Sequence, residues 1–470
     1  MHSNALRMEP FYQLSRSGGA LAQHSITLNY LDNVSALVLV FALRNKHWVV
    51  LCSSLLYVAA SMVLPILASS AILITLPGDC SVNVTDRSHG IPSLVVHPTI
   101  ARFLEAIICF TGLALIFFIL MLRKRKKVLH ADPGSLASLA ALFSGHPLLE
   151  VLRGIDPTAS STVLGEKLRH GRCRLAAVQS DALIQTTDLS LTMNHSAVSK
   201  RPVAVEPFVS KPSCISVDAP KHCDPKLQRQ FLFQKLGIAL FALFLTGLVV
   251  LILWYLTHGE DTGFERLMDS ESTGVKAMMA SFGVLIKLYW LRIEQVAQTF
   301  EPYLKLSKGN AQPCRSILVT TSYNTFERFV QSLKRRDSYV STVAFSAILA
   351  DVLIILLPAV PYKPTTTHKA FLVSTCMSLV ILFVMIFTIV WVFFRSKMMT
   401  LPRSPTTIAS TLSYICASRF IDDFGGMRGM NGKELHDAVE SLGKTYTFGW
   451  MAGVDGLHRW AVDEDEEVDA

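Results

Sequence analysis

Residues 371–394 have the sequence FLVSTCMSLVILFVMIFTIVWVFF, a run of 24 residues without a charged side chain. An α-helix needs about 20 mostly apolar residues to cross the hydrocarbon core of a bilayer. A helix that is apolar all round is buried in a protein core or in a membrane. The length of this run therefore predicts a transmembrane helix.

Five further stretches extend this pattern through the chain. Four are also strongly apolar, and they cover residues 48–70, 102–122, 231–256 and 340–360. The fifth, 276–293, is weaker because it contains Lys276 and Lys287. We count it as a span because the segments on either side of it would otherwise share one side of the membrane. The sequence thus predicts an all-α, polytopic helical membrane protein with about six transmembrane helices.

The composition agrees with a membrane protein and argues against a soluble enzyme. The 470 residues are 51% apolar and 17% charged, with a mean hydropathy of +0.39. Soluble domains carry about 25% charged residues. The nine cysteines never form a CxxC pair, which argues against zinc-ribbon and thioredoxin-like sites.

Catalytic motifs are missing as well. HExxH and GxSxG do not occur in the sequence. A glycine-rich run at 425–433 has Met427 and Glu434 where a phosphate-binding loop needs Gly and Ser or Thr. We therefore predict no enzymatic activity, no metal and no cofactor, and we expect residues 425–433 to form a flexible loop.

Lysine and arginine are distributed very unevenly between the two sides of the predicted spans. If both termini lie inside, 36 of the 44 basic residues fall in the inner segments and four in the outer loops. Because basic loops are retained in the cytoplasm, both termini are predicted to be cytosolic. The net charge of +8 is then a signal of topology, and no nucleic acid is expected as a partner. The plasma membrane and other secretory-pathway membranes fit equally.

This orientation assigns roles to three polar segments. Asn83, in an Asn-Val-Thr sequon of the first outer loop, is a candidate for N-glycosylation. The tail 463–469 has six acids in seven residues and is predicted to be disordered and solvated. A basic cluster follows span two on the inner side, where it sets topology and is a candidate for contact with anionic lipid headgroups. The cluster consists of Arg123, Lys124, Arg125, Lys126 and Lys127.

Two blocks of sequence occur twice in the same order. Residues 9–11 (EPF) return as residues 301–303 (EPY), and residues 133–138 (PGSLAS) return as residues 405–410 (PTTIAS). Between the two blocks, each copy has a basic flank, an aromatic residue and two spans. Since two is an even number, both copies keep the same orientation, so we predict a tandem parallel duplication.

The prolines of these blocks predict local structure. Pro10 and Pro302 are expected in the first turn of helices, because the N–H that proline lacks has no partner there. We predict that these helices lie on the inner leaflet with their apolar residues on one face. Pro133 and Pro405 precede small and hydroxylated residues and then apolar ones, a pattern typical of a helix start.

Spans and repeats together predict seven parts in the chain. These are a cytosolic lead-in (1–47), a transmembrane hairpin (48–122), a cytosolic module and linker (123–230), the third and fourth transmembrane helices (231–293), a second cytosolic lead-in (294–339), a second transmembrane hairpin (340–394) and a cytosolic module with the acidic tail (395–470).

The repeated blocks, and the basic and aromatic residues that open the spans, resemble the fungal membrane-protein family of domain of unknown function DUF3433. That family has the domain in two copies per chain, and the resemblance covers nearly all of residues 9–450. It implies a fungal integral membrane protein. It implies no established activity, cofactor or catalytic residue.

Asp351 and Lys287 are candidates for an intramembrane polar pair. A carboxylate in the middle of a span costs a few kcal/mol and usually faces the bundle interior. In antiparallel helices, Lys287 would lie about 7 Å and Asp351 about 15 Å from the inner boundary, so a long lysine side chain nearly closes the gap. Two interpretations stay open, a proton or cation relay and an ion pair that only supports packing.

Two functional hypotheses follow. The first is a non-enzymatic scaffold or adaptor that presents two related cytosolic modules to cytosolic proteins. The second is a transporter or channel that uses Asp351 in the fifth span. The expected partners are the lipid bilayer, anionic lipid headgroups and cytosolic proteins whose identity the sequence does not give.

Overall fold

The computed structural model describes most of the chain outside the longest predicted loops. The described residues are 2–16, 18–30, 35–75, 93–125, 131–156, 159–175, 225–257, 273–320, 324–361, 368–396 and 403–465, with the single residues 129, 263, 268 and 401.

Helices dominate these ranges. They are α1 His2–Leu14, α2 Ser35–Arg44, α3 Trp48–Val58, α4 Leu64–Ala71, α5 Pro98–Arg123, α6 Leu136–Phe143, α7 Pro147–Arg153, α8 Ser161–Leu168, α9 Pro225–Thr257, α10 Thr273–Leu306, α11 Thr325–Lys334, α12 Ser338–Leu356, α13 His368–Ser396, α14 Ile408–Ser413 and α15 Gly432–Ser441. Within the same ranges, two-stranded antiparallel sheets join β1 Ala20–Leu21 to β4 Arg172–Cys173, β2 Ile72–Thr75 to β3 Ser93–Val96, and β5 Tyr446–Ala452 to β6 His458–Glu464.

Six helical segments are long and apolar enough to cross a membrane, as the sequence predicts. They are Trp48–Ala71, Pro98–Arg123, Lys235–Thr257, Gly274–Leu306, Ser338–Ala359 and Phe371–Arg395. The fourth contains the weak prediction at 276–293 and continues without a break to Leu306. Its 33 residues are about 50 Å long, so its C-terminal part extends beyond a hydrocarbon core of about 30 Å.

Four of the spans, α9, α10, α12 and α13, share one apolar core. Helices α10 and α12 approach each other closely at Gly283, where a Cβ atom would lie 2.9 Å from the Cα atom of Ile354. Small residues allow such close contact between transmembrane helices. Any larger residue at Gly283 would therefore push α10 and α12 apart.

The first transmembrane hairpin joins this core through α4, which packs against α10 and α5. Between α3 and α4, the segment Ala59–Val63 forms a π-helical turn. Pro65 follows directly, and it has no N–H with which to continue the regular pattern of hydrogen bonds. The wide turn before it is the local adjustment to that missing donor.

Four described segments fold into one unit, the extramembrane module, which consists of residues 2–16 with 18–30, 131–156 with 159–175, 300–320, and 401 with 403–465. Its core combines apolar residues from all four segments. An even number of spans separates each segment from the next, so all four are able to meet on one side of the membrane. Residues from both halves of the chain thus share one core.

Matching backbone hydrogen bonds join the two halves inside this module. The N–H of Ala137 in α6 donates to the carbonyl of Ile317 at 3.0 Å. The N–H of Ala409 in α14 donates to the carbonyl of Ile26 at 2.9 Å. Each half therefore supplies the acceptor for the first turn of a helix in the other half.

Two arginines add further links between the halves. Arg153 Nε donates to the carbonyl of Cys416 at 2.5 Å, and Arg403 Nη2 donates to the carbonyl of Asp156 at 2.9 Å. Arg403 is buried, and its backbone is held by the hydroxyl of Tyr414. Hydrogen bonds of a charged donor are stronger than neutral ones, so these contacts interlock the halves.

The predicted helix starts after Pro133 and Pro405 are confirmed. Helix α6 is capped by Ser135 and helix α14 by Thr407, each in a capping box with the serine three residues later. The side-chain oxygens satisfy backbone N–H groups that have no partner within the helix.

The prediction that Pro10 and Pro302 begin helices is wrong. Pro10 lies inside α1 and Pro302 inside α10. The neighbouring Phe11 and Tyr303 are buried in the core of the extramembrane module and do not face a leaflet. A proline near a helix end removes one hydrogen bond, and the burial of these aromatic rings offsets that loss.

The prediction of a flexible loop at 425–433 is also wrong. A 3₁₀ helix covers Arg419–Met427, and α15 begins at Gly432. Asn431 caps α15 in a capping box with Glu434, so the residue that breaks the phosphate-loop pattern closes a helix cap.

Short helices precede the first span of each half. Helix α2 packs against α3, and α11 packs against α12. In both cases the connection contains a residue with positive φ, Lys46 in the first half and Arg336 in the second, each at 57°. This left-handed conformation costs free energy for a residue other than glycine. Both halves thus use the same tight turn at this position.

Candidate functional site

The predicted intramembrane pair is present as a direct contact. Lys287 Nζ lies 2.5 Å from Asp351 Oδ2 and 3.2 Å from the carbonyl of Ala347, so the ammonium group links α10 to α12. The Lys287 side chain is only 10% exposed, whereas the Asp351 side chain is 55% exposed. The lysine is therefore enclosed by protein, and the carboxylate is open on one side.

Two further polar contacts lie near this pair. Trp290, one helical turn after Lys287, is fully buried and donates from Nε1 to the carbonyl of Val343 at 3.0 Å. On the other side of α12, the hydroxyls of Ser346 and Thr388 lie 3.0 Å apart. Contacts with polar groups therefore hold α12 against both α10 and α13.

A second buried ion pair, which was not predicted from the sequence, lies further along α10. Arg328 Nη1 of α11 lies 2.6 Å from Glu294 Oε1, and both side chains are almost fully enclosed. The sequence does not predict a role for Glu294, because this residue lies just past the predicted end of span four at residue 293. The spacing Lys287–Glu294 is i, i+7, which places both residues on one face of α10.

The predicted lipid-facing basic cluster needs one correction. Arg125 does not face lipid, because Nη1 lies 2.7 Å from Glu9 Oε2 and its guanidinium stacks on the Tyr12 ring at 3.8 Å. Glu9 is completely buried and also accepts a hydrogen bond from Gln13 Nε2 at 2.6 Å. A buried carboxylate needs such partners, so Arg125 is a structural counter-ion.

The remaining residues of the cluster divide into two groups. Arg123 and Lys124 are exposed at the end of α5, where contact with headgroups stays a prediction. Lys126 and Lys127 lie outside the described residues, as does the candidate glycosylation site Asn83.

In the second half, different residues pair with the glutamate of the Glu-Pro block. Glu301, the counterpart of Glu9, lies 3.8 Å from Lys305, one turn later in α10. Lys305 Nζ lies 2.5 Å from Asp337 Oδ1, directly before α12. The repeated Glu-Pro block therefore holds an ion pair at the junction of membrane and module in both halves.

A cavity of about 120 Å³ lies between the two halves, where their repeated blocks meet. Arg7 lines it and is largely buried, and Arg7 Nη1 has no hydrogen-bond acceptor. Burial lowers the pKa of Arg7 to about 10. Residues 9 and 301 correspond, so Thr299, which also lines the cavity, is the counterpart of Arg7. The halves thus differ by one charge at the point where they meet.

Two buried histidines lie in the described part outside the spans. His47, before α3, lies 2.7 Å from the hydroxyl of Tyr30, and burial lowers the pKa of His47. His146 caps α7, since its Nδ1 accepts a hydrogen bond from the N–H of Leu148 at 3.2 Å. Burial lowers the pKa of His146 as well. Both rings are therefore held in the neutral form.

The prediction of a solvated acidic tail is wrong for its first three residues. Asp463 and Glu464 belong to β6, and Asp463 accepts hydrogen bonds from the N–H groups of Arg419 and Phe420. Asp465 Oδ2 accepts one from the N–H of Asn310 at 2.5 Å. These three acids therefore belong to the folded part of the extramembrane module. Residues 466–470 lie outside the described part.

Metal binding has no support in the described residues, where no group of three or more His, Cys, Asp or Glu side chains is placed to hold an ion. The cavity, the ion pairs and the buried arginines are suited to joining helices and halves. They show no pairing of a nucleophile with a base.

One family matches the chain in two segments. It is described as protein of unknown function (DUF3433), and the match covers residues 1–73 and 273–362. No curated protein and no solved structure matches the chain. The two segments contain the Glu-Pro blocks, the left-handed turns and the first span of each half. The match confirms the resemblance to the DUF3433 family within these two segments, and it does not extend to the repeated blocks at 133–138 and 405–410.

Proposed function

We propose that this chain is a non-enzymatic scaffold or adaptor in a fungal membrane, with both termini and the extramembrane module in the cytosol. The observation that carries the proposal is the single module core built by both halves. Such a core holds its surface rigidly with respect to the membrane, as a platform for cytosolic proteins requires. The distribution of Lys and Arg favours the cytosolic side.

A tandem parallel duplication accounts for the module. The matched family segments, the pair of capping boxes and the pair of left-handed turns all favour it. A duplicated unit whose copies exchange hydrogen bonds through Ala137 and Ala409 becomes one body. We therefore expect one contact surface that involves both halves and not two equivalent ones.

The tip of the β5–β6 hairpin is the first place to look for a partner. Val454 and Leu457, in the turn between the strands, are 55% and 53% exposed. Exposed apolar residues at the end of a rigid hairpin are suited to contact with a protein partner.

Proximity labelling from a C-terminal fusion tests this proposal. We expect cytosolic proteins to be labelled, and we expect the double variant Val454→Ser/Leu457→Ser to lose some of them while it folds and localises normally. The variant Val163→Ser, at an exposed apolar residue of α8 in the same module, serves as control. Labelling of luminal or extracellular proteins would refute the orientation, and so would an unglycosylated Asn83 that is accessible from the cytosol.

A transporter or channel is the second candidate, and the half-exposed carboxylate of Asp351 favours it. The corresponding region of the first half has Ala60 and no acid, whereas a path shared by two copies would be expected to have one in each. In the variant Asp351→Asn, a transporter should keep its localisation and lose an ion or metabolite flux. Unchanged fluxes in that variant would remove this candidate.

A further inference from the structure

Helix α11 has an apolar face, and the residues at both ends of this face are exposed. Its apolar residues follow the spacing i, i+3, i+4, i+7 and thus form one stripe. At the two ends of the stripe, Phe326 is 69% and Leu333 is 54% exposed. Glu327 is the single acid of the helix. A short helix with this pattern is typical of segments that lie in the plane of a membrane surface.

The stripe continues the outer surface of the fifth span. The ring of Phe329 packs against the ring of Phe345 in α12, with centroids 5.6 Å apart. Phe345 itself is 41% exposed on the side of the transmembrane helix. The apolar face of α11 therefore lies beside a surface that contacts lipid.

The position of α11 is fixed from its other side. Arg328 forms the buried ion pair with Glu294 of α10, and the left-handed turn at Arg336 leads directly into α12. Because Glu294 is the first residue past the predicted end of span four, the ion pair lies at the boundary of the hydrocarbon core. Helix α11 is thus held at the depth of the lipid headgroups.

Three consecutive basic residues lie at the end of α11, where Lys334 is the last helical residue and Arg335 and Arg336 follow it. The acid that follows them, Asp337, is already paired with Lys305 at 2.5 Å. The end of α11 therefore has a local excess of positive charge at the membrane boundary. Each basic residue at a membrane surface contributes about 1 kcal/mol of attraction to anionic lipids.

We propose that α11 is a lipid-binding helix, which inserts Phe326 and Leu333 between the headgroups of the module-side leaflet and gathers anionic lipids around residues 334–336. The occupant of this surface is an anionic lipid bilayer. The first half has a more apolar counterpart in α2, which ends at Arg44 and is followed by Asn45 and Lys46. Helix α11 is therefore the one of the two with the more compact basic cluster.

Photocrosslinking in reconstituted vesicles tests the proposal with the full chain. A photoreactive phenylalanine analogue replaces Phe326 or Leu333, and a control protein has it at Val454 on the hairpin tip. The vesicles contain phosphatidylcholine and phosphatidylserine. We expect phospholipid to be captured at positions 326 and 333 and not at position 454.

The charge is tested by the triple variant Lys334→Gln/Arg335→Gln/Arg336→Gln. We expect the ratio of captured phosphatidylserine to phosphatidylcholine at position 326 to fall by about fivefold or more, since about 1 kcal/mol is a factor of about five. An equal ratio in the variant and its parent would overturn the preference for anionic lipid. Capture of protein in place of lipid at 326 and 333 would overturn the proposal as a whole.

Discussion

Helices α5 and α13 are the return spans of the two halves, yet their surroundings differ. In the most apolar part of α13, 44% of the residues are buried, against 6% in α5. Among the described residues, α13 packs against α9 and α12, whereas the close contacts of α5 are with the helices of its own hairpin. The greater burial of α13 therefore comes from its contacts with α9 and α12. Similar sequence blocks thus end up with different roles, a membrane core in one half and an exposed hairpin in the other.

The largest effect is expected where the exposed first hairpin is attached to the module. In Arg125→Ala, the fully buried Glu9 loses its counter-ion, and we expect a loss of about 3–5 kcal/mol in the free energy of unfolding. The melting temperature of the detergent-solubilised protein measures it. Arg123→Ala, at the exposed end of the same helix, is the matched control and should differ little from the parent. Equal effects of the two substitutions would contradict the role of Arg125.

Substitution of one leucine in each return span tests the difference in their burial directly. Leu382 of α13 is fully buried, and Leu382→Ala should cost about 2–5 kcal/mol because it leaves a cavity. Leu113 of α5 is 69% exposed, and Leu113→Ala should change stability by less than about 0.5 kcal/mol. A large effect at Leu113 would mean that another surface covers α5.

A smaller effect of opposite sign is expected at the cavity between the halves. Arg7→Thr gives the first half the residue that the second half has at position 299. Because Arg7 Nη1 is buried without an acceptor, its removal should raise stability by about 1 kcal/mol. The thermal unfolding of this variant is compared with that of Arg44→Thr, a control substitution at an exposed residue. A loss of stability would show that Arg7 has a partner in solution.

The smallest expected effect is on the pH dependence of stability. Since burial holds the pKa of His146 below its usual value, its contribution is complete above about pH 6.5 and is lost as the pH falls below it. His146→Asn keeps a capping side chain and removes the titration. Between pH 7.5 and 5.5, the melting temperature of the parent should therefore fall further than that of the variant. Parallel curves would exclude His146 as the titrating group.

The sequence predicts the spans well and the contacts between halves poorly. Apolar runs report on the membrane directly, so the six spans and the cap after Pro133 could be found without a structure. Hydropathy carries no information about which helices contact each other, so the ion pair of Glu294 with Arg328 could not be predicted. Arg125 was misplaced for a similar reason, because a basic flank has the same composition whether it faces lipid or a buried Glu9.

The central claim is that the two halves form one extramembrane core, and cleavage of the chain between them tests it most directly. A protease site inserted within residues 187–223, a polar part of the predicted module and linker 123–230, cuts the chain between the halves in the folded, detergent-solubilised protein. We predict that both fragments elute together after cleavage and melt near the temperature of the uncut chain. Fragments that separate without denaturant would contradict a shared core.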